Sequence, residues 1–401
     1  MLQQDMNKGT LFRAHAVKNV FGGDSIARVA GVVVFTPGVI AGEDYVGRVV
    51  STSKDYVRAE VVEILKASPE RCLSKCSPSG RCPGCVYSFM SHAEEQRQKL
   101  GQLRDFMRPL NVAPEMVQGY KLEEAPEEFY RNKIRLTMRK AGGEAQLGYV
   151  FPDGRMYPLS QCRLASEKIN QKLSELLADP GFIPSMHDRM TITLRESADG
   201  VFCFRNNAGK RLAPLREQVL GRDFKVPADG FFQVNQHGLD ALCSLVKTAL
   251  EELKCNYFID AYAGSGLFGA VAAAAQVKYI AGVEEDEAAG KTAAENYRNF
   301  GAEEFDFRIG DAALLLPEIL SAAPETAAVL FDPPRAGLDG KAVRALNSSK
   351  IRNVLYVSCH PATLVRDLGR FQYGGFAIEQ VRLIDMFPRS GHFETFVQLK
   401  R

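Results

Sequence analysis

Short apolar runs broken by Gly and Pro fill the first 68 residues: 31–35 (Gly-Val-Val-Val-Phe), 45–50 (Tyr-Val-Gly-Arg-Val-Val) and 56–64 (Tyr-Val-Arg-Ala-Glu-Val-Val-Glu-Ile). Several short strands at this spacing predict a small, OB-like β-barrel. Residues 92–107 combine strong helix formers with Leu100, Leu103 and Met107 on one face, which predicts a helix. Residues 130–140 alternate instead, putting Ile134, Leu136 and Met138 on one face of a strand and Lys133, Arg135, Thr137 and Arg139 on the other. Further alternation at 190–195 and 201–205 makes the middle of the chain sheet-rich. From about residue 225 the period changes. A helix over 239–253 leads to apolar strands at 257–260, 279–283, 327–331 and 354–357, with helical stretches between them and a last strand at 395–399. Such alternation predicts an α/β domain with a doubly wound, mostly parallel, Rossmann-like sheet. The expected domains are therefore 1–68, 69–221 and 222–401.

Bulk properties bound the function. A chain of 401 residues exceeds one ordinary core, and 46% hydrophobic with 24% charged residues is a globular composition. No apolar run nears the roughly 18 residues of a membrane span, and the first residues lack a signal peptide's apolar core, so a cytoplasmic protein without membrane contact is expected. The net charge of +2 makes no global case for nucleic acid; that case rests on local patches such as 130–140, where no acid interrupts the basic face.

Of nine cysteines, four fall between Cys72 and Cys85, a density that reads as metal binding rather than a disulfide framework. Cys76, Cys82 and Cys85 have C-x5-C-x2-C spacing, which lets thiolates meet one centre. A closed site needs a fourth ligand, for which Cys162 is the candidate. Zinc and a four-iron, four-sulfur cluster both accept four cysteines, so ligand type leaves the metal open.

Chemistry concentrates at predicted strand ends. Gly264, Gly266 and Gly269 spell G-x-G-x-x-G after a strand, where glycines let the backbone approach a ligand and a helix N-terminus offers free N–H groups. Glu284, at the end of the next strand, is placed to hold ribose hydroxyls. This much suits a dinucleotide as well as S-adenosylmethionine. Two later elements favour the latter: Asp332-Pro-Pro-Arg335 ends one strand, and Cys359 ends the next, with Glu394 following before the last strand. Uracil C5 is a weak nucleophile until a thiolate adds at C6. After methyl transfer, a base must remove the C5 proton so that the cysteine can leave. A cysteine and an acid in one pocket beside a methyl donor meet that need.

The wording of 22–28 (Gly-Gly-Asp-Ser-Ile-Ala-Arg), 34–38 and 42–43 resembles the TRAM domain of RNA-modifying enzymes. Together with the Cys76–Cys85 segment, Tyr130-Arg-Asn-Lys133, Phe231-Phe-Gln-Val-Asn235, the 260–269 loop, Asp332-Pro-Pro-Arg335, Ser358-Cys359 and His392-Phe-Glu394, the chain resembles the RNA uracil-5-methyltransferase family. The likeness is to bacterial 23S ribosomal RNA members with a TRAM domain and an iron-sulfur cluster. It implies an S-adenosylmethionine-dependent methyltransferase fold, Cys359 as nucleophile, Glu394 as C5 base, and Gln233, Tyr262, Gly264, Gly266, Glu284, Asp311 and Asp332 around the methyl donor. It also implies Cys76, Cys82, Cys85 and Cys162 as ligands of a 4Fe-4S cluster, and helix 92–107 packed on the catalytic domain. The expected partner is RNA, with a loop uridine of ribosomal RNA foremost and transfer RNA as the alternative, acted on by a monomer without an obligate protein partner. Leu267 and His360 depart from the family's usual residues. The rival readings are a nicotinamide-dependent dehydrogenase and a non-catalytic RNA-binding protein; amino-group methylation is disfavoured because Arg335 stands where an aromatic residue would stack the substrate.

Overall fold

A computed structural model describes residues 6–401 apart from 77–81, 83, 121, 123–124, 142–143, 152–153 and 207–211. The chain forms two compact units, Met1–Asp105 with Phe387–His392, and Phe106–Met386 with Phe393–Arg401.

The first unit is built on β1 (Leu11–His15), β2 (Lys18–Asn19), β3 (Asp24–Val29), β4 (Val32–Pro37), β5 (Asp44–Thr52) and β6 (Tyr56–Lys66), in the order β1-β5-β6-β4-β3-β2. Neighbours are antiparallel except β4 and β6. Alternation does what the sequence predicts: Phe12, Ala27, Val34, Tyr45, Val49 and Val57 gather in one core while their neighbours face out. Gly47 is required where it stands, because a Cβ there would overlap the Phe12 ring. Helix α1 (His92–Met107) carries Glu95 and Lys99, both fully buried and paired at 2.7 Å. The pair holds the 387–392 segment: Lys99 donates to the Phe387 carbonyl at 3.0 Å, and Glu95 accepts the Arg389 N–H at 2.6 Å. Cys76, Cys82 and Cys85 belong to this unit, with the intervening 77–81 and 83 outside the described residues.

In the second unit a short strand β7 (Val117–Gly119) precedes a five-stranded antiparallel sheet. That sheet comprises β8 (Lys133–Ala141), β9 (Glu144–Val150), β10 (Met156–Pro158), β11 (Thr191–Ser197) and β12 (Gly200–Arg205), ordered β10-β9-β8-β11-β12, with α2 (Glu167–Ala178) between β10 and β11 in sequence. On β8, Ile134, Leu136 and Met138 are buried while Arg135 is exposed, the two faces read from the alternation. A hairpin, β13 (Leu215–Val219) and β14 (Arg222–Val226), leads into α3 (Gln236–Glu252), capped by Asn235, whose side chain accepts the His237 N–H at 3.1 Å.

The rest alternates strand and helix: β15 (Tyr257–Ala261), α4 (Leu267–Ala274), β16 (Tyr279–Glu284), α5 (Glu287–Asn299), β17 (Glu304–Ile309), α6 (Ala312–Ala322), β18 (Ala328–Phe331), α7 (Gly340–Ser348), β19 (Asn353–Ser358), α8 (Pro361–Tyr373), β20 (Ala377–Ile384) and β21 (Glu394–Lys400). Strand order is β17-β16-β15-β18-β19-β21-β20-β7. The run from β17 to β19 is parallel, as near-continuously buried β15, β18 and β19 require, whereas β21 is antiparallel to both of its neighbours. The chain works outward from β15 to β17 and then returns to β18, so the order reverses between β15 and β18. A sheet of this kind opens a ligand crevice at the strands' C-terminal ends beside that reversal. Among the described residues no helix is long and apolar enough to cross a membrane.

Candidate active site

At that reversal lies an open cavity of ≈ 1230 Å³, lined by residues that end β15, β16, β18 and β19 and begin β21. Of the residues the sequence singled out, Gln233, Tyr262, Gly264, Glu284, Asp311, Asp332, Cys359 and Glu394 all line it. Gly266 does not. Cys162 lies elsewhere in the second unit, its backbone N–H bonded to Asn170 Oδ1 at 2.8 Å and its thiol accepting from the Tyr149 hydroxyl at 3.6 Å.

The three glycines have different physical roles. Gly264 has φ +55° and open space around it, so the chain passes bare at the cavity wall. A Cβ on Gly266 would lie 2.8 Å from Tyr297 and from Ala293, and one on Gly269 would overlap the Tyr297 ring. Those two positions let α5 pack tightly on the loop and on α4. Tyr297 is fully buried and donates to Asp260 Oδ2 at 2.7 Å, where the Gly269 N–H also donates at 2.8 Å. Nothing in the sequence pattern separates Tyr297 from an ordinary core aromatic. Tyr262 has φ +63°, a left-handed conformation that costs a bulky residue strain and is held here at the cavity wall.

Glu284 braces this wall from the next strand. Its carboxylate accepts the Gly264 N–H and the Asp286 N–H, both at 2.8 Å. Asp311 caps α6 by accepting the Ala313 N–H at 2.8 Å. Gln233, 5% exposed, has no hydrogen-bond partner for its Oε1 among the described residues. An orphaned buried acceptor in a cavity wall is a group that a bound molecule satisfies. Leu267 and Phe268 supply apolar wall at the start of α4.

The acids and the thiol form one electrostatic group. Burial lifts the Asp260 carboxyl to about 6, and burial with the Asp260 charge lifts Asp332, whose remaining surface faces the cavity, to about 7. Burial first and the Asp332 charge second hold Glu394 well above the usual carboxylate range; it is 5% exposed, with Oε2 unpartnered among the described residues. The Cys359 thiol is pushed up to about 11 by burial and by the Glu394 charge, while Arg335 pulls it down through its charge and a hydrogen bond. Arg335 is thus a site residue whose part the sequence reading overlooked, although it closes the Asp-Pro-Pro-Arg stretch. Its loop is fastened to α8: Thr363 Oγ1 donates to the Arg335 carbonyl at 3.1 Å, Arg366 donates to the Ala336 carbonyl at 2.9 Å, and the buried Asp367 accepts the Leu338 N–H at 2.8 Å. His360 is a helix cap rather than a base. Its Nδ1 accepts the Thr363 N–H at 3.4 Å, at the start of the helix that follows the cysteine.

Residues 225–401, which hold this cavity's strand ends, match the family described as tRNA (Uracil-5-)-methyltransferase. The likeness to that family lies in this C-terminal part of the chain. Relatives that are similar along nearly the whole chain are described as uncharacterized RNA methyltransferases. One from Clostridium tetani is 25% identical and covers 99% of each chain, and one from Streptomyces avermitilis is 29% identical over 93% of this chain and 94% of its own. The fold is shared with Pyrococcus abyssi tRNA (uracil-54, C5)-methyltransferase, crystallised with S-adenosyl-L-homocysteine, at a TM-score of 0.74 and 20% identity, covering 96% of this chain and 99% of that one. The mixed α/β domain is therefore an S-adenosylmethionine-dependent methyltransferase fold. The enzyme takes its methyl group from S-adenosylmethionine, and the loop at Gly264, the braced Glu284 and the orphaned Gln233 acceptor fit such a ligand. For a metal the finding is different. The four candidate cysteines have the right donor chemistry, but among the described residues no group of three or more His, Cys, Asp or Glu side chains is placed to hold an ion.

Proposed function

We propose that the enzyme methylates C5 of a uridine in RNA through a covalent bond between Cys359 and C6 of the base, with Glu394 removing the C5 proton. The observation that carries this reading is that Cys359, Glu394, Asp332 and Arg335 line the same cavity as the Gly264 loop. When bound, S-adenosylmethionine supplies an electrophilic methyl and leaves as a neutral thioether. At rest the thiol keeps its proton; that proton passes to water before the S–C6 bond forms, and Arg335 offsets the negative charge left on sulfur. Addition places an electron pair on the ring, C5 forms its bond to methyl, and Glu394 as carboxylate takes the C5 proton. The ring then regains its double bond and expels Cys359 as thiolate.

A base stacked inside a folded RNA hides C5 and C6 from Cys359, so the substrate is a loop uridine turned out of its stack. Arg135, exposed on β8, and Arg139 on the same face are suited to the flanking phosphates. Ribosomal RNA is the substrate we put first, on the cysteine-rich segment and its resemblance. Transfer RNA is the second reading, favoured by the description of the matching family and by the P. abyssi enzyme's substrate. Labelled methyl transfer into total cellular RNA, followed by mapping of the modified uridine, separates the two. The reading fails if the label is found on no uridine C5. A TRAM role for the first unit, a 4Fe-4S cluster on Cys76, Cys82, Cys85 and Cys162, and a monomeric enzyme complete the proposal. A brown protein with about four irons per chain supports the cluster, and one zinc per chain overturns it.

A further inference from the structure

The start of β8 is laced along the cavity rim. Lys133 Nζ donates to the Gly230 carbonyl at 3.0 Å and lies 3.5 Å from the Asp229 carbonyl. Arg195, opposite it on β11 and 1% exposed, donates through Nη1 to Pro227, Ala228 and the same Gly230 carbonyl at 3.1, 3.2 and 3.2 Å. Glu217 anchors the other side of the guanidinium at 2.8 Å. One residue before Lys133, the Asn132 side chain donates to the Gln233 carbonyl at 3.1 Å and its N–H to the Val234 carbonyl at 3.0 Å. The turn at 227–230 and the adjoining Phe231–Gln233 all line the cavity, whereas Lys133, Arg195 and Asn132 do not. Two cations converging on consecutive carbonyls of one turn are an expensive arrangement, because each must be desolvated beside the other.

We propose that Lys133 is a positioning residue for the methyl-donor pocket: together with Arg195 it fixes the 227–230 turn and, through it, sets Gln233 and Phe231 at the rim. The inference rests on the reading of this cavity as the S-adenosylmethionine site. Charge-assisted bonds to the carbonyls are the stronger kind, so the clamp depends on the ammonium form. Burial first, then the Arg195 and Arg135 charges, lower Lys133 to about 8 against the opposing pull of Asp229 and Glu217, so the ammonium is lost as pH rises through that value. An arginine at this position keeps its charge throughout.

The test is calorimetric binding of S-adenosylhomocysteine to the full chain across pH 7 to pH 9.5, without RNA or turnover. The expected result is that Lys133→Met weakens binding about tenfold at neutral pH. Wild-type affinity falls as pH passes through the lysine's titration, whereas Lys133→Arg binds like wild type at neutral pH and lacks that fall. Any pH dependence contributed by Asp332 is common to both proteins and cancels in the comparison. Equal affinity for Lys133→Met and wild type overturns the proposal. If Lys133→Met does not fold, identical pH profiles for wild type and Lys133→Arg overturn it instead. Failure of the wild type itself to bind would count against the cofactor reading rather than the clamp.

Discussion

The Tyr297 hydroxyl donates to Asp260 Oδ2 at 2.7 Å, while the ring of the same tyrosine occupies the space a side chain would need at Gly269. One aromatic residue thereby explains two glycines of the loop and the carboxylate at the end of β15. Gly269→Ala is expected to cost ~1–3 kcal/mol by overpacking, read as a lower denaturant midpoint with unchanged slope.

Tyr297→Phe removes a donor from a buried carboxyl already lifted to about 6, so that carboxyl rises further. Because the folded value lies above the ordinary one, Asp260's contribution is intact at low pH and is lost as pH climbs through its folded pKa. The substitution extends that loss upward. The destabilisation measured by denaturant should therefore be larger at pH 8 than at pH 5, and a pH-independent cost would contradict the assignment.

Cys359→Ala should abolish turnover while leaving S-adenosylhomocysteine affinity within about twofold of wild type, since Cys359 follows β19, two strands across the sheet from β15 and its Gly264 loop. Calorimetry beside a methyl-transfer assay checks both halves.

Cys359 and Glu394 act deprotonated, and both are held up by burial. The single-turnover rate should therefore rise with pH from about 6 to about 9, rather than level off near neutrality. Arg335→Met removes the group that lowers the thiol, so it should slow the reaction and steepen that rise. A flat profile for the wild type would contradict the electrostatic account.

On the substrate side, the Arg135→Ala, Arg139→Ala double variant should raise the RNA KM several-fold with single-turnover chemistry unchanged, and should reduce the salt dependence of binding. An unchanged KM would remove β8 from the RNA surface.

Much of this architecture was legible because the buried parallel strands β15, β16, β18 and β19 are short apolar runs, and their ends carry the chemistry. Two further strands were hidden. β17 interleaves Glu304, Asp306 and Arg308 with its phenylalanines, as an edge strand does, and β20 mixes polar and apolar residues beside the short β7, itself contributed from residues 117–119. That Cys359, Asp332 and Glu394 line one cavity was legible, since each stands at a predicted strand end. The roles of Arg335, Tyr297 and Lys133 were not. Each depends on a contact between distant segments, and no local period records which arginine meets a thiol or which glycine meets a ring. His360, which departs from the family's usual residue, caps α8, a role that likewise depends on a contact rather than a period.

Glu394→Gln should form the adduct and methylate but fail to release it, accumulating covalent RNA–protein complex that the wild type clears. The most direct measurement of the central claim uses RNA carrying 5-fluorouridine, whose C5 fluorine cannot be removed as a proton, resolved on a denaturing gel. The account predicts a slow-migrating RNA–protein band that requires S-adenosylmethionine, appears with wild type and is absent with Cys359→Ala. A wild type that methylates ordinary RNA yet traps no band, or a band that persists in Cys359→Ala, would contradict it.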